Sequence, residues 1–419
     1  MKKNLAINKI FSKMELPQTQ SNSQSVQLKG NIMTSDGFQK GIISFVDGKI
    51  AAIDDNAAHE CDDVIDVGNH YIIPGFIDLH MHGIHTHLVD QGIEHLQKIS
   101  VDILQYGVTG FLPTLYPRPA AEHVAFVKEI AQIQPQGASV LGFHLEGPFL
   151  KLTGSLSQNA ISKVAELSRA QALIEACKPF KAVFSISPDI EGIADIIPVM
   201  AAGNTPVFIT HTAANVEQTL VAIKAGAKHA THFYDVYPCP PVTEPGVRPC
   251  GAVEAILASE EVSVDFILDG VHVDPIAVKM ALACKRGGPG KVCLITDSNV
   301  GAGLEPGKFE FGESGEIYFE YKGAPARMTK DNGLAGSGLT MNQAVRNAIK
   351  FLGLSLFEAL TLASTNPAHV LNIENSKGLL NIGYDADLLI IDEDVNIKQA
   401  WVAGCLKLDK LSVTCPQLI

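Results

Sequence analysis

Seven ionisable side chains sit where short apolar runs end: His80 and His82 in FIDLHMH, Glu146 in VLGFHLE, His211 in VFITHTA, His232 in ATHFYD, His272 in VDFILDGVH and Asp297 in VCLITDS. An imidazole set into an apolar mouth costs stability unless it is paired, and a divalent metal satisfies several such groups at once. Side chains two apart on a strand share a face, so His80 and His82 form a pincer on one ion while Met81 turns away. Glu146, His211 and His232 come from three other runs and can hold a second ion, with Glu146 able to bridge. Asp297 is placed to ligate and to move a proton, which is the outfit of metal-assisted hydrolysis. His144, two residues before Glu146 on the same face, can touch metal or substrate or stand behind the ligands as their partner.

Something must bring these residues to one rim. Eight apolar runs read as strands: 76–82, 110–115, 140–146, 182–188, 207–213, 230–235, 264–272 and 292–298. The segments between them, such as GIEHLQKISVDILQYG, AAEHVAFVKEIAQI, NVEQTLVAIKAG and PIAVKMALACKR, carry apolar residues at helical spacing. Eight nearly all-apolar strands alternating with helices predict an α/β fold, a (β/α)8 TIM barrel over 74–379, with its active site at the C-terminal ends of the strands. An insertion after the eighth run, GKFEFGESGEIYFEYKGAPARM, reads as hairpins and precedes the helix LTMNQAVRNAIKFLG.

Residues 25–73 and 380–419 each alternate short strand-like runs with turn signals, and each is too small to bury a core. Together they predict one small β-sandwich domain. The first 24 residues read as a loose leader, because Lys9 and Lys13 interrupt the apolar stretch that a signal peptide requires.

Composition narrows the function. The net charge of −13 leaves no basic surface to hold a phosphate backbone, which argues against nucleic-acid binding. No run of about 18 uncharged apolar residues occurs, so no membrane span is expected, and the chain reads as cytoplasmic. The eight cysteines form no C-x-x-C pair and read as reduced thiols rather than a thiolate zinc site or a disulfide framework. His85 and His87, just past the first strand, could be extra ligands but read as loop residues beside the site or in solvent, and the remaining histidines read as helix, turn or strand-start residues.

Several of these stretches carry a resemblance. PGFIDLHMHG (74–83), GVTGFLPTL (107–115), LGFHLEGPFL (141–150), ATHFYD (230–235), TEPGV (243–247), DGVHVDP (269–275), LITDS (294–298) and LAGSGLTMNQAVRN (334–347) together resemble N-acetylglucosamine-6-phosphate deacetylases of the amidohydrolase superfamily. The resemblance implies Glu146, His211 and His232 as the principal metal ligands, with His80 and His82 in a second site that some members lack. It implies Asp297 as catalytic acid/base and His272 as a substrate-binding residue. The implied cofactor is a divalent metal, Zn2+ first, with Fe, Mn or Co as alternatives. The implied assembly is a homodimer, with the TEPGV loop contributing across the interface. Other branches of the superfamily use a carbamylated lysine on strand 4; AVFSISP has none, and Glu146 takes its place.

The chain departs from the family pattern at the sugar phosphate. Where the family reads H-L-[FY]-N-A-M and R-E-P-G, this sequence has His232-Phe233-Tyr234-Asp235-Val236-Tyr237 and Thr243 before Glu244. A lost guanidinium and a gained carboxylate both disfavour a dianion. Arg248 is the candidate replacement cation, Asp235 the altered substrate contact, and Ser155 or Leu156 stands near the family's sugar-contacting histidine. The expected reaction is conversion of N-acetylglucosamine 6-phosphate to glucosamine 6-phosphate and acetate. The competing expectations are an unphosphorylated N-acyl amino sugar, an N-acyl amino acid or cyclic amide, and a non-catalytic sugar-binding barrel.

Overall fold

The structure, a computed structural model, describes residues 25–54, 64–154, 160–286 and 290–411. The leader 1–24, His59, Cys61, Ser155, Leu156, the Gly287-Gly288-Pro289 turn and Cys415 lie outside the described residues. Eight parallel strands form the barrel: Phe76–Met81, Val108–Leu115, Phe143–Glu146, Ala182–Ile186, Val207–Ile209, Ala227–Ala230, Ser263–Ile267 and Val292–Ile295. The eighth returns to the first through a Met81–Ser298 bridge, with the Asp297 amide donating to the His80 carbonyl at 2.9 Å and the His82 amide to the Ser298 carbonyl at 2.9 Å. The strands are apolar on both faces because one face fills the barrel and the other meets helices. Phe111, Phe143, Phe184, Phe208 and Phe266 are accordingly among the fully buried side chains.

The intervening helices begin and end where their sequences direct. Asn215 caps Val216–Ala225 by accepting from the Gln218 amide, and the Gln218 side chain answers to the Asn215 amide. Asp274 caps Pro275–Cys284, whose leading proline occupies a position that needs no amide donor. The helix read over LTMNQAVRNAIKFLG is α-helical at Met341–Asn347, loosens to a π turn at Ala348–Leu352 and stops at left-handed Gly353.

The last four strands stop well before their apolar runs do. The fifth ends at Ile209, the sixth at Ala230, the seventh at Ile267 and the eighth at Ile295. His211, His232 and Asp297 therefore stand just beyond strand ends, with φ of 49°, 32° and 44°. At the sixth strand a side chain takes over a ladder donor: the His232 amide donates to Asp265 Oδ1 at 2.6 Å. These backbone turns aim the side chains across the barrel mouth, at a cost that a functional site tolerates.

The two terminal portions share one seven-stranded sheet, in which Val64–Pro74 pairs with Leu388–Ile391. Its core includes Leu28, Ile32, Ile43, Phe45, Ile72, Leu388, Ile390 and Trp401. The insertion forms a four-stranded antiparallel sheet from Lys308 to Ser337 beside the mouth, and its Phe311 packs edge-on to Tyr116 at 5.6 Å. No helix among the described residues is long and apolar enough to cross a membrane.

Candidate metal centre

Glu146, at the tip of the third strand, stands at the focus of four imidazoles. Its carboxylate lies 3.0 Å from His211 Nε2, 3.2 Å from His232 Nε2, 3.2 Å from His82 Nε2 and 3.8 Å from His80 Nε2. Asp297 Oδ1 lies 3.5 Å from His80 Nε2 and 3.4 Å from His82 Nε2. The six side chains are buried, and two overlapping triads can each surround an ion: His80, His82 and Asp297, and His80, Glu146 and His232.

The residues present fit a divalent cation. Among the described residues the buried atoms Asp297 Oδ1 and His211 Nδ1 have no hydrogen-bond partner, whereas buried polar atoms are ordinarily satisfied. His80 Nε2 faces His82 Nε2 at 3.2 Å, an arrangement of two lone-pair atoms that a cation between them stabilises. Burial, outweighing nearby Glu146, keeps His80 well below the usual imidazole range, in the neutral form a ligand needs. Burial opposes charge on His232 and His82 too, but hydrogen bonding to Glu146 prevails and raises both, His232 to about 10. Burial likewise opposes ionisation of Glu146, yet His80 and the hydrogen-bonded histidines hold it well below the carboxylate range. The centre thus calls for positive charge, which a metal supplies while leaving the imidazoles neutral. The nitrogen and oxygen donors, without thiolate, suit Zn, Fe, Mn and Co.

Further groups orient the ligands. Thr231 Oγ1 lies 3.2 Å from His80 Nδ1 and donates to Asp265, which also accepts from the His232 amide and sits 2.7 Å from His229 Nε2. Asp78 accepts from the His80 amide and the Thr296 hydroxyl, and burial raises its pKa to about 7. The Tyr116 ring stacks on His82, centroids 4.0 Å apart. Such partners fix ring orientation and tautomer. Sequence reasoning missed Asp265 and Asp78, although a carboxylate inside an apolar strand is itself the signal, and missed Tyr116, which follows the second strand directly.

Burial lifts Asp297 to about 6, with His82 opposing and Glu146 adding to the rise. His272 lines the same mouth, and its Nδ1 donates to Asp269 at 2.7 Å, leaving Nε2 for a ligand. Asp235 also lines the mouth. Two expectations change. His144 spends Nδ1 on the Leu79 carbonyl at 2.9 Å and Nε2 on the Ser185 hydroxyl, so it braces the barrel interior and has no nitrogen left for substrate. Arg248 is held 3.0 Å from Glu254, its side chain 74% exposed, because Glu254 is itself pinned by the Gly251 amide at the start of a helix. Within this chain Arg248 does not line the mouth. His85 and His87 stand apart from the centre, His85 against Asp102 and Tyr106, His87 against His95. The six described cysteines are free thiols and none lines the mouth.

The family model for the amidohydrolase family matches residues 71–407. Among curated proteins the chain is similar to an N-acetylgalactosamine-6-phosphate deacetylase of Escherichia coli O157:H7, 30% identical over 87% of this chain and 94% of that one. It is also similar to the N-acetylglucosamine-6-phosphate deacetylase of Danio rerio, 29% identical over 81% of this chain and 85% of that one. Among solved structures, the N-acetylglucosamine-6-phosphate deacetylase of Thermotoga maritima matches with a TM-score of 0.76 and 27% identity, over 92% of this chain and 99% of that one. The Mycobacterium smegmatis enzyme of the same name, 24% identical over 91% of this chain and 100% of that one, shares the fold with a TM-score of 0.81.

Proposed function

The chain belongs to the amidohydrolase family, and from that premise we propose that it removes the acetyl group of N-acetylglucosamine 6-phosphate by metal-dependent hydrolysis, giving glucosamine 6-phosphate and acetate. It is a hydrolytic enzyme acting on an amide. The observation that carries the reading is the unpartnered Asp297 Oδ1 beside a centre of four imidazoles and Glu146. The proposed metal is Zn2+, held by Glu146, His211 and His232 with His80 and His82 as the second pair of ligands. A divalent ion in this position polarises an amide carbonyl and brings the pKa of bound water towards neutrality.

The chain's own residues do the rest. With a pKa of about 6, Asp297 is ionised at neutral pH and accepts the proton of the attacking water. As the carbon–nitrogen bond breaks, Asp297 returns that proton to the departing amine, and the water oxygen leaves in acetate. Asp269 holds the His272 ring so that Nε2 can donate to the substrate's oxygen. Burial opposes a charged His272, but Asp269 outweighs it and raises the pKa, favouring the donor form. Tyr116, backed by Phe311, and Leu334, Ala335 and Gly336 line the mouth. Gly336 is obligatory there, since its φ is +70° and a Cβ would lie 2.6 Å from the Asp297 carbonyl.

We place the enzyme in the cytoplasm, where a charged sugar phosphate is retained, and propose a homodimer in solution. The test is acetate release by metal-replete protein from N-acetylglucosamine 6-phosphate, N-acetylgalactosamine 6-phosphate and the two unphosphorylated sugars. Turnover led by N-acetylglucosamine 6-phosphate supports the reading; turnover led by an unphosphorylated sugar overturns it. Asp235 in the mouth and Arg248 paired with Glu254 favour that second reading.

A further inference from the structure

His80 is the imidazole that the two ion-holding triads share, His80 with His82 and Asp297, and His80 with Glu146 and His232. Either ion position therefore requires that its Nε2, the atom facing His82, Glu146 and Asp297, carry no hydrogen. We propose that Thr231 and Asp265 are positioning residues that keep the His80 hydrogen on Nδ1 and its Nε2 bare, a role that rests on the metal-dependent reading above.

Strand periodicity assembles the support. Ser263 and Asp265, two apart on the seventh strand, share a face, and His229 on the sixth strand is registered opposite Ser263. His229 Nδ1 lies 2.7 Å from Ser263 Oγ and its Nε2 2.7 Å from Asp265 Oδ2. Asp265 also accepts from the His232 amide at 2.6 Å, so its carboxylate is held from two sides before Thr231 meets it. Ser263, His229, Asp265, Thr231 and His80 are all buried, and no water competes along the line they form.

The direction of each hydrogen bond follows from what a hydroxyl can do. Thr231 Oγ1 has one hydrogen and lies 3.1 and 3.0 Å from the two Asp265 oxygens, so that hydrogen goes to the carboxylate. Its lone pairs then face His80 Nδ1, 3.2 Å away, and only an Nδ1 that carries hydrogen can use them. The bare Nε2 is left aimed into the centre. Without the carboxylate the hydroxyl is free to turn and donate to Nδ1, which moves the ring hydrogen to Nε2, into the place of an ion. The other half of the pincer is secured differently. His82 Nδ1 faces the Thr114 carbonyl at 3.2 Å, and a carbonyl can only accept, so that tautomer does not depend on the identity of a side chain. His80 depends on one hydroxyl, and the hydroxyl on one carboxylate.

The experiment measures the Zn2+ dissociation constant, by competition with a chromophoric chelator, in the wild type, Thr231→Val, Thr231→Ser and Asp265→Asn. Thr231→Val keeps the shape but removes the acceptor, and should weaken binding about 10- to 100-fold. Thr231→Ser keeps the hydroxyl and should restore the wild-type affinity, which a role in packing alone would not predict. Asp265→Asn presents an amide that can donate to the hydroxyl and turn it towards His80, so it should weaken binding in the same direction. It carries the comparison if the valine variant does not fold. As Zn2+ is raised, kcat of the weakened variants should recover with KM unchanged, since no substrate contact is altered. A wild type that binds no Zn2+ overturns the metal-dependent reading and the positioning role together. Wild-type affinity in Thr231→Val or in Asp265→Asn overturns the positioning role alone, as does a Thr231→Ser that binds as weakly as the valine variant.

Discussion

Two clusters of carboxylates, a partly buried one at the seam between sheet and barrel and a buried one in the catalytic mouth, are finished in opposite ways. At the seam, Lys377 Nζ lies 2.8 Å from Asp385 Oδ2 and 2.5 Å from Asp387 Oδ2. Lys49 takes Asp385 Oδ1 at 2.5 Å, and the Ala403 amide takes Asp387 Oδ1 at 2.7 Å. Every carboxylate oxygen there has a donor from the chain. Burial opposes the charge on Lys377, but Asp387 and Asp385 prevail and raise its pKa. In the mouth, Asp297 Oδ1 and His211 Nδ1 remain unpartnered among the described residues. Polar groups that hold a fold together are satisfied within it, and groups that meet a ligand are left with capacity to spare.

The largest expected effect tests the mouth. Asp297→Asn keeps the shape and removes the proton acceptor, so kcat should fall about 10²–10⁴-fold. Stability should hold or rise, since a buried charge is lost. Circular dichroism melts beside steady-state kinetics check this, and a variant that melts early but turns over normally would make the mouth another structural seam.

The seam should answer the other way. Lys377→Met leaves Asp387 without its ammonium partner and should cost about 3 kcal/mol of unfolding free energy, read by urea titration. Metal content and KM should stay with the wild type. Metal removal gives the converse: chelation should abolish turnover in wild type and Lys377→Met alike. Ion restored at a hundredfold over its dissociation constant should return about 2.7 kcal/mol of stability. Equal stability with and without ion would mean that the four imidazoles do not bind one.

Much of this contrast is legible in the chain. The pincer of His80 and His82 follows from strand periodicity, and Glu146 from its place at the end of an apolar run. The joint terminal sheet follows from two fragments that cannot fold apart. What periodicity cannot register is a strand that ends while its sequence stays apolar. The sixth strand stops at Ala230 because Asp265, a whole strand away, captures the His232 amide. Arg248 reads as a cation for substrate until Glu254, fixed by a helix start, is seen to hold it. Asp265 is distant from His232 in sequence, and local patterns carry no trace of that partnership, whereas Glu254 follows Arg248 within one turn and a helix start and is legible as its partner.

An unpartnered buried nitrogen is not sufficient to mark a ligand site, and His123 separates the two cases. Among the described residues neither of its ring nitrogens has a hydrogen-bond partner and no metal-holding group includes it, and it lies in the helix Ala120–Ile130. Burial first, then Arg169 and Arg118, lower its pKa from 6.5 to about 3, so the folded chain keeps it neutral. Because the folded pKa is depressed, its contribution to stability is complete above about pH 6.5. It is lost progressively as pH falls towards 3, where the unfolded chain takes up a proton that the folded chain refuses. His123→Leu removes that slope, so its stability relative to wild type should improve by about 2 kcal/mol between pH 7 and pH 5. Urea midpoints across that range, with activity at pH 7 unchanged, are the readout. Parallel pH profiles for the two proteins would mean that His123 takes up its proton as readily in the fold as in the unfolded chain, and burial would no longer account for its silence. The mouth differs from His123 in convergence: several spare atoms there point at one another, and it is this convergence that a metal ion satisfies.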